Sequence, residues 1–383
     1  MPEAVIVDAI RTPIGRAVKG SLKDVRADEL AAIPLRALAE RNPEVDFSQT
    51  VDVMMGNAAN QGEQGFNVGR NALLLAGYDH HVPGVTVNRF CASSLQTLRM
   101  AFHAVKTGEG DQYVAAGVEA VSRTGDGGSW EFHPELDGSE GSHYNVYIPM
   151  GLTAENVAER CHVTREAQDE WAVVSQQRAV AARDGGHFDR EIVPVTAPDG
   201  TVVSVDDGPR PGTTMEKLAA LQPVFRPDGT VTAGNACPLN DGAAAVLVMS
   251  DEKATALGLQ PRARIVASTV AAIRPEIMGL GPIPAIRALL ERTGMTIDDV
   301  DVVEINEAFA AQIVPCIQEL GIDGDKLNPH GGAIALGHPF GMTGARIMTT
   351  LLNDLETLDA QYGVESMCVA GGMGMAMLVE RLN

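Results

Sequence analysis

The hydrophobic positions of this chain fall into short apolar runs and into longer segments with one apolar face. Runs of β-branched and small apolar residues predict buried strands at 85–87, 112–118 and 366–370. Apolar residues spaced three and four apart predict a helix at 343–352 and another that begins after an N-cap at Thr164. Short strands that alternate with helices are typical of an α/β fold.

One apolar element occurs twice in the chain. The segments 51–57 (Val-Asp-Val-Met-Met-Gly-Asn) and 300–306 (Val-Asp-Val-Val-Glu-Ile-Asn) share one pattern and both end in Asn. The two segments lie 249 positions apart, and Cys91 and His338, which follow them, lie 247 positions apart. A repeat of this length, built of strands and helices, indicates a duplicated α/β half-domain rather than a solenoid.

The region between the two repeats has a different character. It is rich in turn residues at 125–129, 137–142 and 198–214, where Gly, Ser, Asp and Pro recur. We interpret residues 121–245 as an inserted loop domain that covers the active-site face. The predicted division of the chain is therefore an N-terminal half at 1–259, which includes this insertion, and a C-terminal half at 260–383.

Composition narrows the class of protein. The chain has 383 residues, of which 45% are hydrophobic, enough for a large core. It has no run of 18 apolar residues and no basic, apolar leader, which predicts no membrane span and a cytoplasmic location. Its five cysteines are an odd number without a Cys-x-x-Cys pair, which favours reduced thiols over disulfides or a zinc site.

The net charge of −21 weighs against binding to nucleic acid or anionic membranes. It also means that a site for a phosphorylated substrate must concentrate its few cations locally. The chain has only six lysines, and of these Lys217 lies in the inserted region.

Two cysteines and one histidine lie beside glycines or at the predicted ends of elements. Cys91 follows a strand and precedes an apolar-periodic helix, and a helix N-terminus favours a thiolate. A buried structural Cys is an equally good interpretation of Cys91 alone. His338 lies between Gly337 and Pro339 and so belongs to a loop, while Cys368 ends a strand at a glycine turn. Together the three suit a nucleophile, a base and an acid for acyl transfer.

Four sequence motifs resemble those of the thiolase family. They lie, in the family's order, at 88–94 (Asn-Arg-Phe-Cys-Ala-Ser-Ser), 306–310 (Asn-Glu-Ala-Phe-Ala), 331–339 (Gly-Gly-Ala-Ile-Ala-Leu-Gly-His-Pro) and 368–374 (Cys-Val-Ala-Gly-Gly-Met-Gly). Loop motifs at 150–155, 232–235 and 240–243 are also similar to the family's, and the resemblance runs from about residue 5 to the C-terminus. It implies the duplicated thiolase fold of five α-β-α-β-α layers, with an inserted loop domain.

The resemblance also implies the roles of four side chains. Cys91 is expected to be the acylated nucleophile, His338 its base, and Cys368 the acid that protonates an acetyl-CoA enolate. Asn306 cannot titrate and is expected to hold a water that, with His338, stabilises an oxyanion. On the residues alone, a turn-forming Asn is the commoner interpretation of Asn306.

Coenzyme A is expected as a substrate, with no resident cofactor and no metal. The resemblance places Lys217, Cys237 and Met150 in the region that contacts coenzyme A or the acyl group. A solvated helix charge is an equally good interpretation of Lys217, and we interpret Cys237, where the family commonly has Ser, as an extra small residue. His330, where the family usually has Asn, is interpreted as structural.

The expected reaction is thiolysis of 3-ketoacyl-CoA by coenzyme A in fatty-acid β-oxidation. Pro149 replaces a His common in short-chain members, and 144–148 (Tyr-Asn-Val-Tyr-Ile) is largely apolar, so we expect an apolar pocket wall and acyl chains of six or more carbons. The alternatives are an acetoacetyl-CoA thiolase and, more remotely, a non-catalytic acyl-CoA carrier. A β-ketoacyl synthase is disfavoured because it has one Cys and two His. Expected partners are a second copy or three further copies of the chain, and a hydratase/dehydrogenase subunit.

Overall fold

A mixed sheet of ten strands forms the centre of the part of the chain that the computed structural model describes, residues 1–124 and 131–382. The turn-rich segment predicted at 125–129 lies outside these residues. The described strands, including the β6–β7 hairpin outside the sheet, are β1 (Ala4–Arg11), β2 (Gly15–Arg16), β3 (Asp52–Gly56), β4 (Gly84–Val87), β5 (Gln112–Ala120), β6 (Val195–Thr196), β7 (Val202–Val203), β8 (Asn240–Ser250), β9 (Ala263–Ala272), β10 (Val302–Ile305), β11 (Tyr362–Val369) and β12 (Met373–Arg381).

Helices pack on both faces of the sheet. The described α-helices are α1 (Ala27–Arg41), α2 (Val68–Leu75), α3 (Ser93–Thr107), α4 (Met150–Cys161), α5 (Arg165–Asp184), α6 (Met215–Ala219), α7 (Asp251–Ala256), α8 (Pro282–Thr293), α9 (Ala310–Leu320), α10 (Ala333–Leu336) and α11 (Thr343–Thr357). The strands predicted at 85–87, 112–118 and 366–370 are confirmed as β4, β5 and the end of β11, and the helix predicted at 343–352 is confirmed as α11.

The two halves of the sheet repeat one order of strands. In the first half the neighbours are β3, β5, β8 and β1, and in the second they are β10, β11, β12 and β9. In each half the first pair is parallel and the next two pairs are antiparallel. The registers agree too, because Gly56 pairs with Gly117 and Ile305 pairs with Ser366. The duplication predicted from the sequence is confirmed, and β1 and β9 join the two units.

The alternation of side chains along the strands produces five layers. On β8, Val246 and Val248 face a core shared with α3 and α11, whereas Leu247 and Met249 face a core shared with α1 and α2. In the second half, Met375 of β12 faces the same α3/α11 core, and the opposite face packs on α8 and α9. Helices α3 and α11 therefore form the middle layer between the two half-sheets.

The insertion lies between β5 and β8 and contributes α4, α5, α6 and the β6–β7 hairpin. Thr164 accepts a hydrogen bond from the Ala167 N–H at 3.1 Å, so the predicted N-cap of α5 is confirmed. A buried ion pair fixes the insertion to β1: Arg11 contacts Glu191 at 2.6 Å and Asp206 at 2.8 Å. Because β8 begins at Asn240, the last residues of the predicted 121–245 segment belong to the central sheet. Among the described helices, none combines the length and the apolar composition needed to cross a membrane.

Candidate active site

The N-termini of the two central helices meet, and the candidate nucleophile and base precede them. Cys91 lies in a 3-10 turn, Phe90–Ala92, directly before α3, and His338 lies in the loop before α11. The two helix starts are joined by a hydrogen bond of 2.9 Å from the Ala345 N–H to the Ser94 hydroxyl. Residues 247 positions apart in the chain are thereby presented at one place.

The turn that carries Cys91 is held in an uncommon backbone conformation. Phe90 has a φ of 46°, in the left-handed region that a bulky residue rarely adopts. The Asn88 side chain accepts from the Phe90 N–H at 2.8 Å, and the Ser93 hydroxyl donates to the Phe90 carbonyl at 2.6 Å. These side-chain bonds stabilise a strained backbone of the kind often found at functional sites.

Burial, rather than the helix terminus, dominates the acidity of Cys91. Burial raises its pKa to about 12, although hydrogen bonds from the backbone N–H groups of Ala370 and Cys91 itself act in the opposite direction. The expected thiolate at the helix N-terminus is therefore wrong for the resting protein, because desolvation of the charged form outweighs the terminal N–H groups. Cys91 must pass its proton to a base as it reacts.

The hydrogen bonds of His338 fix which ring nitrogen carries its proton. The Thr343 hydroxyl donates to the Pro339 carbonyl at 2.8 Å and therefore accepts from Nδ1 of His338, 2.6 Å away. Nε2 is left unprotonated, and the Asn306 side-chain amide donates to it at 3.3 Å. The imidazole is thus held in the tautomer that a general base requires.

The surroundings of His338 also keep it neutral. Burial and the positive charge of Arg346 lower its pKa to about 3. Its backbone N–H donates to the Asn240 side chain at 2.9 Å, which fixes the loop after Gly337. A neutral, oriented imidazole can accept the Cys91 proton.

Asn306 lies directly after β10 and is fully buried. Its backbone N–H donates to the Ser366 carbonyl at 2.9 Å. Within the described part of the chain, its Oδ1 has no hydrogen-bond partner. An amide that bonds His338 with one end and offers a free acceptor with the other suits the water-holding role that the resemblance implies, which stays a prediction.

Cys368 lies near the end of β11, beside Gly371 and Gly372, both of which have φ near +80°. Burial, with the neighbouring Cys91 thiol as a smaller cause, raises its pKa well above the ordinary value. Its apolar surroundings include Met278, Phe309 and, at the edge, Met150. Cys368 is therefore a neutral thiol that can donate a proton next to an apolar surface.

The buried carboxylate of Glu307 ties the insertion to the catalytic loops. Glu307 accepts from Trp171 at 3.0 Å and Ser175 at 2.6 Å, both on α5, and from Asn328 at 2.9 Å and the Ile334 N–H at 3.2 Å. Burial raises its pKa, and these bonds offset part of that effect. The insertion thus braces the 328–338 loop that leads to His338.

The predicted coenzyme A residues are not all together. Cys237 lines a cavity of about 320 Å³, Met150 packs near Cys368, and Lys217 lies on α6 with its Nζ bonded to the Gly212 carbonyl at 2.6 Å. Of these three, only Cys237 lines the cavity. Burial raises the pKa of Cys237 far above the ordinary value, which is consistent with an inert small side chain.

Three cations that the sequence analysis did not identify line the same cavity. They are Arg16, Lys19 and Arg210. Burial and the neighbouring Arg16 charge lower the pKa of Arg210, so the two guanidiniums lie close together. Positive charges that lie close together at a cavity attract phosphate. The sequence could not predict this pair, because Arg16 and Arg210 lie nearly 200 positions apart and no motif links them.

The residues at 144–148, which were expected to form an apolar pocket wall, make other contacts. Tyr147 stacks on Phe132 at 4.2 Å, and Arg274 lies 5.3 Å above the Tyr144 ring. Both tyrosines are partly exposed and engaged by these contacts. Cys368 instead shares a buried apolar cluster with Met278 and Phe309.

Comparison with known families agrees with this geometry. Residues 4–252 match the family model described as "Thiolase, N-terminal domain", and residues 259–381 match "Thiolase, C-terminal domain". The chain belongs to the thiolase family. This thiolase is an acyltransferase of the group that cleaves or condenses acyl-CoA.

The relatives of this thiolase are named after different substrates. It is 48% identical to a beta-ketoadipyl-CoA thiolase of Acinetobacter baylyi and 46% identical to a 3-ketoacyl-CoA thiolase of Serratia proteamaculans, with 100% of both chains covered in each case. Among solved structures, it matches an acetyl-CoA acetyltransferase of Bacillus anthracis with a TM-score of 0.91 at 41% identity, covering 100% of this chain and 99% of that one. It matches the dimeric peroxisomal thiolase of Saccharomyces cerevisiae with a TM-score of 0.94 at 40% identity, covering 100% and 98%.

Proposed function

We propose that this thiolase cleaves 3-ketoacyl-CoA with coenzyme A, giving acetyl-CoA and an acyl-CoA shortened by two carbons. The observation that supports this most is the oriented His338, whose unprotonated Nε2 accepts from Asn306. The helix after His338 is hydrogen-bonded at its start to the helix after Cys91, and the buried thiol of Cys368 neighbours that of Cys91. Thiolysis through an acyl-enzyme has two half-reactions. They require a base for the thiol that is acylated and a second thiol that acts as an acid.

In the first half-reaction, Cys91 gives its proton to Nε2 of His338 while its sulfur attacks the 3-keto carbon. The bond between C2 and C3 breaks, the acyl group stays on Cys91, and the acetyl-CoA enolate takes the proton of Cys368. In the second, the coenzyme A thiol gives its proton to the Cys368 thiolate and attacks the acyl carbon. Cys91 leaves as a thiolate and recovers its proton from His338.

The acyl chain is proposed to have six or more carbons. The apolar side chains of Met278, Phe309 and Met150 beside Cys368 support this. Each buried methylene contributes about 0.8 kcal/mol, so two or three more methylenes favour the longer substrate by about tenfold or more. The cations Arg16, Lys19 and Arg210 are the proposed contacts for the phosphates of coenzyme A.

A second candidate substrate is 3-ketoadipyl-CoA, whose acyl chain ends in a carboxylate. It is favoured by the name of the Acinetobacter relative, at 48% identity. We further propose a homodimer, which the dimeric state of the yeast peroxisomal thiolase supports, and action in cytoplasmic β-oxidation alongside a hydratase/dehydrogenase.

Specificity constants for acetoacetyl-, 3-ketooctanoyl-, 3-ketohexadecanoyl- and 3-ketoadipyl-CoA test the proposal. The 3-ketooctanoyl substrate is expected to exceed acetoacetyl-CoA by at least tenfold. A maximum at acetoacetyl-CoA would identify a short-chain thiolase, and a maximum at 3-ketoadipyl-CoA would identify the second candidate. Thiolysis of none of the four would leave the carrier alternative.

A further inference from the structure

Two buried glutamates lie side by side on the second half of the sheet. Glu304 of β10 and Glu365 of β11 are register partners in a parallel pair of strands. Val302 and Met367, two residues away on the same faces of these strands, belong to the core shared with α11, so both carboxyl groups face α11. Neighbouring strands are about 4.8 Å apart, which brings the two carboxyl groups close together.

A buried arginine of α11 completes this charge cluster. Arg346 lies three residues after Thr343, which holds the His338 ring, and its charge acts on both Glu304 and Glu365. Among the described residues, Nε and Nη1 of Arg346, both carboxyl oxygens of Glu365 and Oε1 of Glu304 have no hydrogen-bond partner. A buried carboxyl group without hydrogen bonds is far less costly with a proton than in its ionised form.

The balance of charge in the cluster favours one proton on the pair of carboxyl groups. Burial raises the pKa of both groups well above the ordinary value, and the Asp354 charge adds to this at Glu304, while the positive charge of Arg346 acts in the opposite direction on both. Two neighbouring carboxylates also repel each other, which raises one pKa of such a pair. One shared proton leaves one negative charge, which a single guanidinium balances.

The other charged groups that act on the cluster have partners of their own. They are Arg11, Glu191, Glu307 and Asp354. Arg11 forms an ion pair with Glu191 at 2.6 Å, and the Asp354 carboxylate contacts the His330 ring at 2.6 Å. Glu307 is hydrogen-bonded to the side chains of α5. Arg346 is therefore the charge that balances the two glutamates.

We propose that Glu304, Glu365 and Arg346 are positioning residues for acylation, and that the two carboxyl groups hold one proton and one negative charge between them. The negative charge offsets Arg346, which otherwise opposes the positive charge that His338 gains with the Cys91 proton. This inference rests on the proposed role of His338 as the base. Burial and the Arg346 charge already lower the pKa of His338, so an Arg346 without its counter-charge would weaken this base further.

Glutamine variants separate a shared proton from two independent charges. In Glu304→Gln or Glu365→Gln the remaining carboxyl group is expected to ionise and to keep Arg346 balanced. The single-turnover rate of Cys91 acylation by 3-ketooctanoyl-CoA, followed by intact mass, should then stay within about threefold of the unaltered enzyme. In the double variant the rate should fall at least about tenfold, because one pKa unit of His338 corresponds to about tenfold in the proton-transfer equilibrium.

Infrared spectroscopy detects the shared proton without any substrate. Difference spectra at about pH 8 are expected to show the carbonyl stretch of a buried, protonated carboxyl group that is present in the unaltered protein and absent from both single variants. Glu119→Gln, which alters a buried carboxyl group of the other half-sheet, is the matched control and is expected to leave this band unchanged. An unaltered enzyme whose Cys91 is not acylated would refute the proposed function, whereas the infrared band tests the charge cluster separately.

A triple variant that also has Arg346→Gln carries no charge in the cluster. It is expected to be acylated about as fast as the single variants, which separates an effect of charge from a loss of folded protein, measured by urea unfolding of each variant. The proposal would be overturned by a double variant with an unaltered rate, by single-variant losses that add up to the loss of the double variant, by a triple variant as slow as the double, or by a band that survives either single substitution. If the double variant does not fold, the triple variant and the infrared band still decide.

Discussion

Thr343 determines whether His338 can act as a base, and Thr343→Val tests this. Valine has nearly the same shape, but it removes the hydroxyl that accepts from Nδ1 of His338 at 2.6 Å and donates to the Pro339 carbonyl at 2.8 Å. Thr343 is 1% exposed, so water cannot easily replace the hydroxyl. The Nδ1 proton loses its acceptor, and the tautomer with the proton on Nε2 becomes competitive.

The size of the effect follows from the lost hydrogen bond. A buried donor without a partner costs about 1–3 kcal/mol, which corresponds to a 5- to 150-fold lower rate, about tenfold for each 1.4 kcal/mol, if the cost falls on the competent tautomer. We expect the single-turnover rate of Cys91 acylation, followed by intact mass, to fall by that factor. Binding of substrate should change little, because Thr343 does not lie in the lining of the cation-rich cavity.

Thr343→Ser is the matched control, since it keeps the hydroxyl and loses only a methyl group. It is expected to keep acylation within about threefold of the unaltered enzyme. A Thr343→Val enzyme with an unchanged acylation rate, or a Thr343→Ser enzyme as slow as Thr343→Val, would refute the tautomer argument. Urea unfolding of both variants separates a positioning effect from a loss of folded protein.

Three further predictions concern buried acids. Because the pKa of Cys91 is raised to about 12, its alkylation by iodoacetamide, mapped by peptide mass, should rise about tenfold per pH unit to pH 9; a plateau near pH 7 would contradict this. Cys368→Ser should slow α-proton exchange of acetyl-CoA far more than acylation of Cys91, with Cys161→Ser unaffected; equal loss of both reactions would count against a separate acid. The pKa of Glu119 is raised by burial to about 7 from 4.5, so the folded state binds its proton more tightly and the free energy of unfolding falls as the pH rises between these values. The Glu119→Gln variant has no carboxyl group to titrate and does not lose this stability. The free energy of unfolding of the variant minus that of the unaltered chain should therefore increase by about 3 kcal/mol from pH 4.5 to 8. A difference that does not change with pH would show that Glu119 does not titrate in this range.

The fold and the four catalytic motifs could be predicted because their sequence signals are local or repeated. The Asn at the end of each repeat, and Gly and Pro around His338, fix strand ends and loops within a few residues. The direction of the pKa shift of Cys91 could not be predicted in this way, because it depends on how deeply the whole fold buries the thiol. The same holds for Arg16 and Arg210, which reach one cavity only through the packing of the insertion against the first strand.

The shared register of the two half-sheets has an evolutionary consequence. Since Gly117 matches Ser366, Glu119 in the first half occupies the place that Cys368 has in the second. The Asn57 amide bonds the Glu119 carboxylate at 3.2 Å, and that carboxylate accepts from the Gly341 N–H at 2.8 Å beside the catalytic loop. Asn306, its counterpart, bonds His338 instead. An ancestral half-length chain that paired with an identical copy would have had two equal centres. In the fused chain the centre at Asn57 and Glu119 is structural. The other centre takes Cys91 from the first half and His338 and Cys368 from the second, so neither half could react without the other.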